Sequence, residues 1–196
     1  SYFLPRCPGQ IGMYLGLTGA RLKTADTLYA GVATHFVPTA KWDGFVGQLA
    51  EGASPDDDLK QLSEAVPGDF LSEHRATIDR LFSGNSVEEI LAALDLEHTD
   101  WASDTAATIR TKSPTSVKIT FRQIREGAKL GFDDCMRMEF RMVNRIISGH
   151  DFYEGVRATI LDKDGAPKWK PAALNEVSEA QVHAYFAPID NKELPL

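Results

Sequence analysis

Helix signals recur along almost the whole of this sequence, and they constrain the fold more than any other feature. Apolar residues follow spacings of three and four, for example at Val117, Phe121 and Ile124, and this spacing places them on one face of a helix. Ser113 followed by Pro114 is a strong helix start, because serine caps the first turn and proline suits its first position. The pattern predicts a mainly α-helical chain of seven or more helices.

Only one stretch of the sequence favours a strand. It runs from Val32 to Val37, VATHFV, and is rich in β-branched and aromatic residues. A single short strand cannot form a sheet alone. We therefore expect one isolated strand in an otherwise helical chain.

A second apolar stripe predicts one long helix after residue 131. Its members are Phe132, Met136, Phe140, Val143 and Ile147. We expect this stripe to face a neighbouring element, since it keeps helical spacing over four turns. Met138 and Met142 widen the stripe, so the helix is expected to be covered on two sides.

The overall charge limits the partners of the chain. Its 196 residues carry a formal net charge of −7, which argues against nucleic acid or an anionic membrane as the main partner. Cys7 and Cys135 are the only cysteines, and two thiols so far apart indicate a reducing compartment more than a disulfide scaffold. We therefore expect a cytoplasmic protein.

The sequence contains no motif typical of a metal site or of an activated nucleophile. No two of the five histidines are three to five residues apart, and the cysteines lack zinc spacing. His150 beside Asp151 could act as a base with its orienting carboxylate, although a histidine before a helix cap is the simpler interpretation. The prediction is therefore no metal, no separate cofactor and no catalytic residue.

One segment, from Gly149 to Pro171, combines a helix start, a turn and an extended stretch. Asp151 and Glu154 have the spacing of a capping box. The run DKDG at residues 162–165 predicts a turn. Prolines on both sides then hold residues 168–170, Lys-Trp-Lys, in an extended conformation, because a residue before proline avoids the α region.

This segment, GHDFYEGVRATILDKDGAPKWKP, resembles the C-terminal signature of the 3-hydroxyisobutyryl-CoA hydrolases, a branch of the crotonase (enoyl-CoA hydratase/isomerase) superfamily. Residues 1–38 are similar to the family segment that follows the catalytic turn of the family. Residues 113–123, SPTSVKITFRQ, are similar to a third block of the family sequence. The resemblance implies a mainly α fold, the C-terminal helical region of a crotonase-like α/β fold without most of its core sheet. It also implies two parts, residues 1–52 ending the crotonase core and residues 53–196 covering the active site.

The resemblance implies hydrolysis of a short 3-hydroxyacyl-CoA thioester, as in valine breakdown, with CoA as part of the substrate. In the family, backbone amides hold the thioester oxygen, and the hydrolase branch adds an Asp and a Glu just before a motif that matches residues 2–6. We therefore expect the catalytic groups to precede Ser1, and this chain alone to be inactive.

The resemblance also assigns five candidate substrate-binding residues. They are Lys163, Lys168, Trp169, Tyr2 and Phe3. Lys163 occupies about the position of a family lysine that approaches the phosphates of CoA. Trp169 could stack on the adenine or fill a hydrophobic gap. Tyr2 and Phe3 are expected to form a wall of the acyl pocket.

Two other functions fit the same sequence. The first is an enoyl-CoA hydratase or isomerase, which shares the scaffold and differs in the reacting groups. The second is a non-catalytic helical module for interaction or oligomerisation, which would expose an apolar surface and form homo-oligomers through it.

Overall fold

The computed structural model describes residues 1–189 and 193–196, and every regular element in these ranges is a helix. The α-helices are α1 (Ile11–Thr18), α2 (Thr24–Tyr29), α3 (Thr39–Ala50), α4 (Pro55–Leu62), α5 (Phe70–Glu73), α6 (Arg75–Leu81), α7 (Val87–Asp95), α8 (Asp100–Arg110), α9 (Pro114–Gly127), α10 (Phe132–Ile146), α11 (His150–Val156) and α12 (Glu179–Phe186). Short 3-10 turns precede α1 and α12, at Leu4–Arg6 and Leu174–Glu176, and a π turn at Arg157–Leu161 continues α11. None of the helices in the described ranges has both the length and the apolar character needed to cross a membrane.

Capping side chains set the starts of several helices as the sequence predicts. Ser113 Oγ accepts the Ser116 N–H at 3.2 Å, and Pro114 occupies the first position of α9. Ser178 and Gln181 form a reciprocal capping box at the start of α12. Each such cap stabilises its helix by roughly 1 kcal/mol.

The predicted strand from Val32 to Val37 is wrong, and so is the fold class that retained part of an α/β sheet. The Val32 N–H bonds to the Thr27 carbonyl at 2.9 Å, and the Phe36 carbonyl accepts the Glu64 N–H at 3.0 Å. No strand lies within residues 1–189 and 193–196 to pair with this stretch. Turn and loop hydrogen bonds therefore satisfy the backbone instead, and the described part of the chain is all helical.

Helix α9 is the centre of the larger of two compact units, which comprises Ser1–Ala20 and Ile78–Leu196. It contacts α1, α7, α12 and both 3-10 turns, while α8 contacts α1 and α7. The fully buried side chains of this unit include Ile11, Leu17, Phe82, Ile90, Leu94 and Ile109. Burial of each such side chain contributes ~1.5–3 kcal/mol.

Residues Arg21–Thr77 form the second unit, in which α2 contacts α5 and α3 contacts α4. The Asp26 carboxylate is buried and accepts the Leu71 N–H at 2.9 Å, so it joins α2 to α5. These units are defined by packing alone. The sequence-based division into residues 1–52 and 53–196 concerns the end of the family core, and it stays a prediction.

The long helix α10 is confirmed, but its predicted inward stripe largely faces solvent. Phe132, Val143 and Ile147 are 57%, 48% and 44% exposed. The buried residues of α10 are Cys135, Met138 and Met142. This second face packs against α12 and completes a core cluster with it. Both faces of α10 are apolar, so periodicity alone does not identify the buried one.

The close approach of α1 to the first 3-10 turn predicts a large effect of Gly12→Ala. A Cβ at position 12 would overlap the carbonyl group of Leu4, and relief requires a backbone shift that costs about 3 kcal/mol. Urea unfolding followed by circular dichroism measures this loss.

Gly44→Ala is the matched control, because it also lies inside a helix but has no neighbouring atom within 4 Å of the new Cβ. We expect Gly44→Ala to leave stability unchanged or to raise it by up to about 1 kcal/mol. Equal effects of the two substitutions would contradict the predicted overlap at Gly12.

Candidate functional site

A cleft of 470 Å³ lies between the start of α9 and helix α11 with its π turn. Ser113, Thr115 and Ser116 bring hydroxyl groups to one side, and Phe152 and Val156 bring apolar surface to the other. A cleft that is mostly apolar, with a few polar groups, is typical of sites for small organic ligands.

Residues 162–171, which we call the strap, have no regular structure and run along α11. The Lys168 N–H donates to Glu154 Oε1 at 2.7 Å, and the Lys170 N–H donates to Asp151 Oδ1 at 2.8 Å. Asp151 and Glu154 are one helical turn apart, and alternate N–H groups of an extended chain point the same way. Two carboxylates of α11 therefore hold the strap by its backbone.

Asp151 also joins α11 to α9. The Ser113 hydroxyl donates to Asp151 Oδ2 at 2.5 Å, and His150 Nδ1 lies 3.0 Å from Oδ1. The predicted capping box of Asp151 and Glu154 is wrong, because Gly149 is the N-cap of α11. Both oxygens of the Asp151 carboxylate accept hydrogen bonds, one from Ser113 and one from the strap. Asp151 therefore connects α11 to the start of α9 and to the strap.

The Arg157 guanidinium binds three carboxylates near the turn of the strap. It donates to both oxygens of Glu154 at 2.8 and 3.0 Å, and to Asp162 and Asp164 at 2.7 Å each. The hydrogen bond from Arg157, with that from the Lys168 amide, lowers the pKa of Glu154 to about 2. The same carboxylates raise the pKa of Arg157, so the Glu154–Arg157 pair is ionised over a wide pH range.

Trp169 is the predicted site residue that the structure places in the wall of the cleft. Its indole N–H donates to the Thr111 carbonyl at 2.9 Å. Its ring covers Gly155, where an added Cβ would lie 3.4 Å from the ring edge. The ring is only partly buried, so it fills a gap beside α11 and still contributes surface to the cleft.

The predicted lysines lie on the strap but do not line the cleft. Lys163 and Lys168 are both exposed, and Lys163 adopts a left-handed conformation with φ of 56°. The lysines that line the cleft are Lys112 and Lys170, and neither is among the five predicted binding residues. Lys170 belongs to the same Lys-Trp-Lys run, and Lys112 directly precedes the cap of α9.

Tyr2 and Phe3 lie outside the cleft. The Arg6 guanidinium stacks 3.7 Å above the Tyr2 ring, and the Tyr2 ring also makes an edge-to-face contact with Phe132 at 5.5 Å between centroids. Phe3 is 44% exposed. The structure therefore brings three of the five predicted residues onto the strap and leaves two on a separate surface.

The lining of the cleft combines charged and aromatic groups. Lys112 and Lys170 supply positive charge, Asp151 supplies negative charge, and Trp169 and Phe152 supply aromatic surface. In residues 1–189 and 193–196, no three side chains of His, Cys, Asp or Glu are grouped so that they could hold a metal ion.

Comparison with known families gives one match over most of the chain. The family model described as "Enoyl-CoA hydratase/isomerase" matches residues 1–186. The mitochondrial 3-hydroxyisobutyryl-CoA hydrolase of Danio rerio is 43% identical, over 100% of this chain and 54% of the relative. The corresponding protein of Homo sapiens is 39% identical, over 98% of this chain and 53% of the relative. The chain thus spans about half the length of these curated relatives.

Two solved structures are similar to this chain in fold. A carnitinyl-CoA dehydratase from Mycobacterium thermoresistibile has a TM-score of 0.90 and 38% identity, covering 97% of this chain and 55% of that chain. An enoyl-CoA hydratase from Rhodobacter sphaeroides 2.4.1 has a TM-score of 0.88 and 33% identity, covering 100% and 56%.

The relatives confirm the resemblance to the hydrolase branch and correct one expectation. Their names place the 3-hydroxyisobutyryl-CoA hydrolases in mitochondria, which contradicts the predicted cytoplasmic location. Net charge and free thiols do not distinguish between two reducing compartments, so the composition of the chain could not predict a mitochondrial location.

The lowered pKa of Glu154 predicts how the strap responds to acid. A carboxylate with its pKa depressed from 4.5 to about 2 stabilises the strap fully above pH 4.5 and loses this contribution as the pH falls towards 2. The Lys168 amide resonance should therefore stay constant down to about pH 4.5 and then shift with an apparent pKa near 2. In Glu154→Gln this resonance should not follow that titration. A shift of the Lys168 amide centred near 4.5 would contradict the prediction.

Proposed function

Because this chain belongs to the enoyl-CoA hydratase/isomerase family, we propose that it serves the hydrolysis of a short 3-hydroxyacyl-CoA thioester such as 3-hydroxyisobutyryl-CoA. The observation that carries this proposal is the similarity, along almost the whole chain, to proteins named as hydrolases of that compound. By the same similarity, the proposed setting is valine breakdown in mitochondria.

In this proposal the chain binds the CoA portion of the substrate with the strap and the adjoining cleft. The phosphates of CoA are strongly anionic, whereas the chain has a net charge of −7, so binding requires local cations. Lys163 and Lys168 supply them on the strap. Trp169 offers a partly exposed aromatic surface for the adenine.

Tyr2 and Phe3 are proposed to contact the acyl group. The two residues are 38% and 44% exposed, which suits residues that meet a ligand or another protein segment. Arg6 fixes Tyr2 through its guanidinium stack and through a hydrogen bond to the Tyr2 carbonyl at 2.7 Å. This surface is separate from the cleft, so the proposal assigns the two ends of the substrate to different parts of the unit.

We assign no catalytic group to this chain. Thioester chemistry in this family needs donors aimed at the oxygen on which negative charge develops, and the carboxylates described above are already bound to Arg157, Ser113 or the strap backbone. The proposal is that the reacting groups come from outside residues 1–196. The chain then contributes substrate binding and coverage of the active site.

A chimaeric protein tests this division of labour. Residues 1–196 replace the matching segment of the Danio rerio relative, and release of free CoA thiol from 3-hydroxyisobutyryl-CoA is measured for the chimaera and for this chain alone. We expect turnover by the chimaera, and CoA binding without turnover by the chain. Loss of enoyl absorbance from an enoyl-CoA substrate is measured in parallel.

Each alternative has its own result in this experiment. Thiol release by the chain alone would overturn the assignment of the reacting groups to residues outside it. Hydration of the enoyl-CoA by the chain alone, without thiol release, would favour the hydratase alternative. A chimaera that folds, binds CoA and performs neither reaction would contradict the proposed function.

One observation favours the second candidate, a helical module that associates with another copy of the chain. The outward face of α10 exposes Phe132, Val143 and Ile147, and such an apolar stripe is typical of an interaction surface. We expect sedimentation velocity to detect a dimer that Val143→Asp dissociates. Leu96→Asp is the control, because Leu96 is also exposed, at 72%, but lies just after α7. A monomer at all concentrations would contradict this candidate.

A further inference from the structure

Arg157 holds the turn of the strap at three points. Its guanidinium donates to Asp162 Oδ2 and Asp164 Oδ2, and to the Ala166 carbonyl at 3.3 Å. It also holds Glu154 on the neighbouring turn of α11. One side chain thus links the last turn of the helix to the first half of the strap.

The charge of Arg157 is what allows these carboxylates to lie together. Glu154, Asp162 and Asp164 converge on one cation, and without it they would repel one another across the same turn. A guanidinium suits this position because its planar fork can donate to several oxygens at once, whereas an ammonium acts as a point charge. A lysine at position 157 should therefore keep the positive charge but only some of the hydrogen bonds to the three carboxylates.

Arg157 also contributes to the conformation of Lys163. The two residues beside Lys163, Asp162 and Asp164, both bind the same guanidinium. The Lys163 backbone has φ of 56°, a left-handed conformation that a residue with a side chain adopts only where its surroundings enforce it. The Arg157 side chain contributes to that constraint, together with the backbone hydrogen bonds from the Asp162 and Gly165 N–H groups to the carbonyls of Arg157 and Ala158.

Arg157 also acts on Trp169 through Glu154. Both Glu154 oxygens bind Arg157, and Oε1 accepts the Lys168 N–H as well. Lys168 directly precedes Trp169, whose indole is fixed at its other end by the Thr111 carbonyl. The position of the ring in the cleft wall thus depends on the orientation of the Glu154 carboxylate.

The contribution of the Asp162 and Asp164 ion pairs to global stability is expected to be small. The side chains of Asp162 and Asp164 are 56% and 43% exposed, and exposed ion pairs are typically worth ~0–1 kcal/mol each. The strap has no buried residue. Five directed hydrogen bonds from one arginine therefore have more effect on the geometry of the strap than on the core.

We infer that Arg157 is a positioning residue for binding of the CoA ester, which acts through Lys163 and Trp169 without touching the substrate. The inference rests on the proposed function, because it needs these two side chains to contact the ligand.

The experiment compares Arg157→Ala, Arg157→Lys and the control Arg80→Ala in the 196-residue chain. Arg80 is the matched control because it also makes an exposed pair with both oxygens of one carboxylate, that of Glu97, at 2.7 and 2.8 Å. Calorimetry measures the Kd of CoA, nuclear magnetic resonance follows the Trp169 indole N–H, and thermal unfolding measures stability. Trp169→Ala and the double variant Arg157→Ala/Trp169→Ala complete a double-mutant cycle.

We expect Arg157→Ala to weaken CoA binding on the order of 10-fold, as misplacement of binding groups does, and to shift the Trp169 indole resonance. Arg157→Lys should restore part of the affinity, and Arg80→Ala should leave the Kd and the resonance unchanged. The double variant should lose less affinity than the sum of the two single losses, because the part of the Arg157 effect that passes through Trp169 is counted only once.

Unchanged CoA affinity in Arg157→Ala would overturn the inference alone. So would a loss of affinity that adds fully to that of Trp169→Ala, or that accompanies a large fall in the unfolding temperature. An unsubstituted chain that binds no CoA would instead overturn the proposed function, and the inference with it.

Discussion

Burial of α9 is the constraint on which the larger unit depends. This helix contacts α1, α7, α12 and both 3-10 turns, and its apolar residues Val117, Ile119 and Ile124 are almost completely buried. The cap of α9 then serves two purposes, since Ser113 Oγ accepts a hydrogen bond from the first turn and donates one to Asp151 of α11. The core helix thereby fixes the element that carries the strap.

The candidate site is built differently from the core beneath it. Apolar packing fixes α9, whereas directed bonds from Asp151, Glu154 and Arg157 fix the strap. Such charge-assisted bonds are short and geometrically specific, but they contribute little stability where water competes. Apolar packing in the core therefore determines the fold of the unit, and the hydrogen bonds of these charged side chains determine the geometry of the site.

Local chemistry explains which predictions succeed. The caps at Ser113 and Ser178 and the presence of α10 follow from neighbouring residues, which the sequence displays directly. The prediction of a strand at Val32–Val37 is wrong because a strand needs a partner, and none lies in the described part of the chain. The prediction of the buried face of α10 is wrong because both faces of this helix are apolar. Packing against α12 selects the face that contains Met138.

The same distinction applies to the site. Motif resemblance locates the strap and Trp169, but it misses Lys112, whose place in the cleft depends on the packing of α8, α9 and α11. Nor does any sequence pattern reveal that Arg157 collects three carboxylates, because their convergence arises only when the π turn and the strap fold back.

The strap is held through the backbone N–H groups of Lys168 and Lys170, and this has a consequence for how such a site can evolve. Amide donors are common to every amino acid except proline, so the frame survives exchange of the side chains that it carries. Exchange of residues 168 and 170 for any residue except proline should therefore leave the strap bound to Asp151 and Glu154. A change of ligand preference at these two positions is then largely independent of folding.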